Sequence, residues 1–178
     1  MRVPPKGSPD DWFDWLVGNN SRKSERATLI IGGLDPSDDV PVEPFVQRLS
    51  DPDDDVVFWA LVGLLGLGVR AHVATAKIAA LATHHRVVGV RQMAIRVLSV
   101  AAASNQLATS TIERCLADES SLVRRGALEA LIKLPIHTAE LLDRIASMAD
   151  DDDEAVASWS EIALRNIRMR NAGGRGAG

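Results

Sequence analysis

The chain has 178 residues, 46% hydrophobic, 25% charged and only 4% aromatic, with a formal net charge of -4 and a single cysteine, Cys115. That apolar fraction excludes a disordered chain, and the length suits one ordinary domain whose core needs neither disulfides nor a metal. A lone cysteine makes no internal disulfide, and Met1 to Ser8 reads MRVPPKGS rather than a basic and apolar secretory leader, so a reducing, cytoplasmic location is expected.

Residues 1–8 read as a flexible lead-in to a helix with a plain start signal. Ser8 stands as its cap, Pro9 fits its first turn, and Asp10 and Asp11 complement its dipole. Further along, four segments superimpose, beginning at Val56, Val90, Val123 and Val156, which are 34, 33 and 33 residues apart. Counted from that valine, offset +4 is Ala60, Ala94, Ala127 and Ser160, and offset +7 is Gly63, Val97, Ala130 and Ala163. Offset +8 is always leucine: Leu64, Leu98, Leu131 and Leu164. Small and apolar residues at helical spacing describe a helix with one buried stripe that a neighbour approaches closely. A shorter apolar helix precedes each, ending near Leu49, Leu81, Leu116 and Met148, so the unit is a helical hairpin. One period before Val56, Lys23 is followed by Ala27, Ile30 and Ile31, which makes a divergent repeat at the N-terminus.

The expected domain covers residues 9–170, with repeats near 9–34, 36–68, 71–102, 105–134 and 137–168, and residues 171–178 (NAGGRGAG) form a disordered tail. All eight prolines, from Pro4 to Pro135, fall outside the predicted helix interiors. Acidic clusters at Asp51 to Asp55, at Asp118 with Glu119 and at Asp150 to Glu154 stand where the second helices begin and cap their free N–H groups. The longest uncharged apolar run, Val56 to Val69, is 14 residues, short of the roughly 20 that a bilayer requires, and is read as a buried helix. Such hairpins cannot bury their stripes alone. They stack into an all-α, right-handed α-α superhelix, the second helices lining its concave side.

Val90-Arg91 with Ala94, and Asp118 followed by Val123-Arg124 and Ala127, resemble the second-helix pattern of the HEAT-like repeats. Val57 and Ala157 take the arginine's place in the other two repeats, and the period is shorter than in longer HEAT units. The resemblance implies that Arg91 and Arg124 pair with turn carboxylates such as Asp118 and form an inter-repeat ladder.

Motifs for phosphate-binding loops, dinucleotide folds, serine hydrolases and zinc proteases do not occur in the sequence. His72, His84, His85 and His137 are read as exposed loop residues, since adjacent side chains such as His84 and His85 point apart. Asp51 to Asp55 lacks the glycine and the glutamate of a calcium loop, with Val56 and Val62 at those places. Cys115, between Ile112 and Leu116, is a core thiol. No catalytic residue, metal or cofactor is expected.

Charge is uneven along the chain. Residues 1–55 sum to -6 and residues 113–178 to -3, whereas residues 56–112 contain no Asp or Glu and sum to +5. A basic middle between acidic ends is expected. On the second helices, offsets +2, +6 and +9 point away from the core, which selects Phe58, Val62, Leu65, Gln92, Arg96 and Arg125 as a partner-binding surface grading from apolar to basic. Trp59 and Trp159, both at offset +3, are assigned to inter-repeat packing, and Trp12, Phe13 and Trp15 are candidate covers for Phe58. The leading function is a non-enzymatic adaptor or scaffold that binds another protein or peptide in its concave groove. Nucleic-acid binding through the basic middle and a lyase-type role like that of phycobilin lyases are the alternatives, and self-association through Phe58 is a further possibility.

Overall fold

The computed structural model describes residues 7–101, 105–134 and 138–173. Among the described residues there are ten α-helices and no strand. They run α1 Pro9–Val17, α2 Ser21–Gly32, α3 Glu43–Arg48, α4 Asp54–Gly66, α5 Thr75–His84, α6 Val88–Ala101, α7 Gln106–Arg114, α8 Ser121–Lys133, α9 Ala139–Ser147 and α10 Glu154–Gly173. Consecutive pairs pack as hairpins, and α2, α4, α6, α8 and α10 follow one another as a contiguous inner row. The result is a right-handed α-α superhelix of five hairpins. The last helix continues to Gly173, three residues into the segment read as a tail, and Pro4, Pro5, Pro135 and His137 lie outside the described residues.

The start of α1 is a capping box: Asp11 N–H donates to Ser8 Oγ (3.2 Å) and Ser8 N–H to Asp11 Oδ2 (2.7 Å). These bonds hold the Asp11 carboxyl below the usual carboxylate range. The later hairpins share one device at the turn into their second helix. Asp51 Oδ1, Asp118 Oδ1 and Asp151 Oδ1 each accept the N–H two residues on, from Asp53 (3.0 Å), Ser120 (2.9 Å) and Asp153 (3.0 Å). His85 occupies the same place and accepts from Val87 through Nδ1 (3.2 Å). Side chains thereby satisfy the backbone where the chain leaves one helix and enters the next.

One continuous core runs through the row, and it holds Ala60, Ala94, Ala127 and Ser160 at complete burial. Close approach has a clear reason at Gly63: a Cβ there would run into the Phe45 ring. Phe45 also receives Phe13 edge-on, ring centroids 5.5 Å apart, and Trp12 at 6.4 Å. These two N-terminal aromatics therefore pack on α3, while Phe58 stays half-buried and meets Trp59 edge-on at 5.9 Å. Trp15 carries Lys23 and Arg26 over its ring. Trp59 and Trp159 both pack half-buried against the core, and a Cβ on Gly32 of α2 would reach ordinary contact with the Trp59 ring.

Candidate functional site: an inner groove and its supporting ladder

Two arginines tie consecutive repeats of the inner row together. Arg91, on α6 and 4% exposed, donates Nε to Asp118 Oδ2 (2.9 Å) and Nη2 to Asp118 Oδ1 (2.8 Å). It also donates to Glu119 Oε1 (3.2 Å) and to the carbonyl of His85 (2.9 Å). One repeat on, Arg124 does the same from α8, with Nε to Asp151 Oδ2 (2.8 Å), Nη2 to Asp151 Oδ1 (2.6 Å) and to Asp152 Oδ1 (2.7 Å), and Nη1 to the carbonyl of Asp118 (3.0 Å). Each guanidinium thus spans from its own turn to the next repeat's turn, and Asp118 joins the two rungs. The fork geometry is the strong, bidentate form of the pair. It raises both arginines above their ordinary value, chiefly through the bonds to Asp118 and Asp151, and holds the Asp151 carboxyl below the usual range.

At the junction of the second and third repeats both ladder members are absent together, with Val57 for the arginine and His85 for the aspartate. The pairing there runs in the opposite sense. Asp54 of α4 takes Arg86, with Nη2 to Oδ2 at 2.7 Å, and its Oδ1 lies 3.5 Å from His85 Nε2.

These contacts correct the expectation of a basic middle. Arg86 and Arg91, two of its cations, are paired with Asp54 and with Asp118 and Glu119, all outside residues 56–112. Arg70 is turned to the carbonyls of Asp38 and Val40, where it ties down the loop between the first two hairpins. Of the five cations of residues 56–112, Arg86 and Arg91 are thus offset by carboxylates of the neighbouring blocks.

Across α4, α6 and α8 lies an open groove of about 440 Å³. Of the residues singled out by helix angle, Phe58, Gln92, Arg96 and Arg125 line it, with Ser99 and Glu129. Val62 and Leu65 do not; they are half-buried and packed against the core. The reason is that α4 is apolar on all sides, so its angular pattern does not separate a free face from a packed one. Gly89, Met93, Gly126, Ala130 and Lys133 complete the lining and were not selected from sequence. A signal for them exists at offset +3, where Trp59, Met93, Gly126 and Trp159 leave α8 without a side chain. The Arg96 side chain is exposed and makes no hydrogen bond or ion pair among the described residues, although its carbonyl accepts from Ser99 Oγ (2.8 Å). Arg125 Nε stands 4.0 Å from Glu129 Oε1, a loose pair on one helix face. Gln92 is held by its Nε2 donating to the carbonyl of Leu122 (2.9 Å).

Elsewhere, Cys115 is buried with its Sγ 3.5 Å from the carbonyl of Ala82, and burial pushes its thiol up to about 11. A thiol in that state is no nucleophile. Among the described residues no group of three or more His, Cys, Asp or Glu is placed to hold a metal, and no helix is long and apolar enough to cross a membrane.

Residues 89–174 match the family model described as Cnd1, non-SMC mitotic condensation complex subunit 1. No curated protein matches the chain significantly. Among solved structures, a designed armadillo repeat protein in complex with the peptide (KR)4 is similar over 88% of this chain and 80% of its own, at 15% identity and a TM-score of 0.61. Computationally designed armadillo repeat proteins for modular peptide recognition match with a TM-score of 0.60 at 17% identity, over 94% and 88%. An archaeal HEAT-like repeats protein from Thermococcus onnurineus NA1 matches with a TM-score of 0.55 at 17% identity, over 89% and 69%.

Proposed function

We propose that this chain, a HEAT-like repeat solenoid of the armadillo type, is a non-enzymatic interaction module that holds a segment of another protein in the groove across α4, α6 and α8. The observation that carries the reading is the groove itself: Phe58 and Met93 offer apolar contact beside the unpaired Arg96 and the loosely paired Arg125, on a scaffold fixed by the arginine ladder. Aromatic and arginine anchors on a rigid support are the composition of a binding hot spot. The peptide complex of one similar designed solenoid, the design of others for modular peptide recognition, and a family model that describes a complex subunit support a protein as the partner class. A cytoplasmic setting accords with Cys115 as a thiol.

Nucleic-acid binding receives less support than the sequence allowed it. Its basis was the basic middle, and Arg86 and Arg91 are neutralised by neighbouring carboxylates. Exposed Glu119 and Asp152 at the starts of the inner helices would repel a continuous polyanion.

Affinity capture on the full-length chain from its native host tests the reading, run beside an Arg96→Glu/Arg125→Glu variant and a Phe58→Asp variant of unchanged helicity. Partners should be retained by the native chain and lost by both variants. Retention of every partner by both would place binding elsewhere.

A further inference from the structure

We propose that the groove takes an extended acidic segment of its partner, with carboxylates paired to Arg96 and Arg125 and the main chain lying across the bare face of α8 at Gly126. This names the chemistry of the occupant and rests on the groove reading above.

The first observation is the glycine. Gly126 lies inside α8, where glycine weakens a helix, and a Cβ built on it meets nothing within 4 Å; the same holds for Gly89 on α6. Two other helical glycines have packing reasons. A Cβ on Gly63 would enter the Phe45 ring, and one on Gly66 would lie 2.6 Å from the Leu34 carbonyl oxygen. No such neighbour accounts for Gly126, and the corresponding places on α4 and α10 hold Trp59 and Trp159. What the missing side chain leaves is a groove floor that another backbone can approach closely.

The second observation is charge. Three cations, Arg96, Arg125 and Lys133, line the groove against one carboxylate, Glu129. The side chains of Arg96 and Lys133 are exposed without partners among the described residues, in contrast to Arg86, Arg91 and Arg124, which are all engaged by carboxylates. An incoming carboxylate therefore meets one guanidinium, Arg96, that no internal pair has to release, and a second, Arg125, held only by the loose 4.0 Å pair with Glu129. Gln92 adds a neutral contact: with its Nε2 fixed on Leu122, its Oε1 is left to accept an N–H from an extended chain. Glu119 and Asp152, exposed just before α8 and α10, would repel an acidic stretch that ran on past those helix starts.

A library of random decapeptides displayed on phage, selected against the immobilised full-length chain, provides the test. Enriched peptides should carry Asp or Glu, and synthetic fluorescent versions should bind about tenfold or more weakly to Arg96→Gln and to Arg125→Gln, as loss of a charge-assisted bond implies. Gly126→Trp, which installs the residue of the second and fifth repeats in open space, should abolish binding while keeping the helical signal and thermal midpoint at or above those of the native chain. Enriched peptides that are neutral or basic yet lost by Gly126→Trp would overturn the acidic occupant and keep the groove. Acidic peptides that bind all three variants equally, or no enrichment at all, would overturn the groove reading as well. A dimer of the chain alone that Arg96→Gln dissolves would put a second copy in the groove, and a DNA duplex that competes with the peptides would put a polyanion there; either result overturns the proposal.

Discussion

Replacing Arg91 by alanine is the sharpest probe of what holds the inner row together. The side chain is 5% exposed and makes bonds to both oxygens of Asp118, to Glu119 and to the carbonyl of His85. Its partner Asp118 has a side chain only 10% exposed. Truncation leaves that carboxylate buried with its guanidinium gone, a situation that costs about 3–5 kcal/mol. The Arg86–Asp54 pair is the internal control, because Arg86 is 77% exposed and water screens such a pair. For a domain of this size each kcal/mol moves the thermal midpoint by about 2–4 °C, so Arg91→Ala should lower it by roughly 6–20 °C and Arg86→Ala should move it far less. Circular dichroism at 222 nm during heating gives both values. Combining Arg91→Met with Asp118→Leu should recover most of the loss, since an apolar pair of similar volume removes the stranded charge. An Arg91→Ala midpoint within about 4 °C of the native one, no lower than that of Arg86→Ala, would refute the ladder as a source of stability.

Further outcomes follow from the same geometry. The carboxyls of Asp11, Asp151 and Asp153 are held low, by bonds from Ser8, Arg124 and Ser121 respectively, so they contribute stability that is complete above the unfolded value near 4 and lost as pH falls through their folded values. Midpoints measured from pH 7 to pH 2 should therefore bring Arg124→Gln and the native chain together below pH 4; a constant difference across that range would contradict the assignment. Gly126→Ala should stabilise by about 0.5–1 kcal/mol in urea, because its Cβ meets nothing, whereas Gly63→Ala should destabilise by about 1–3 kcal/mol through the Phe45 ring. Equal effects of the two would show that helical propensity alone decides them. Cys115, with its thiol pushed up to about 11, should react with Ellman's reagent at pH 8 only when urea opens the fold, and rapid labelling of the native chain would place it outside the core.

The fold was legible because a solenoid writes its contacts into a period. Ala60, Ala94, Ala127 and Ser160 recur 33 or 34 residues apart and are all completely buried, and no long-range pairing had to be guessed. Helix angle also picked Phe58, Gln92, Arg96 and Arg125, which share the groove. It failed for Val62 and Leu65, since an all-apolar helix has no angular contrast, and it passed over Gly126, whose meaning lies in what is missing there. Net charge by segment misled for a related reason. Arg86 and Arg91 find their carboxylates 27–32 residues away, one repeat along in space, so a sum over a stretch of sequence counts each pair in two places.

Hydrogen exchange measured by mass spectrometry, on the chain with and without a bound peptide or captured partner, tests the groove most directly. Protection is predicted over α6 and α8, residues Val88–Ala101 and Ser121–Lys133, with the outer helices α5 and α7 unchanged. Protection confined to α5 and α7, or to the ends of the row, would contradict the account.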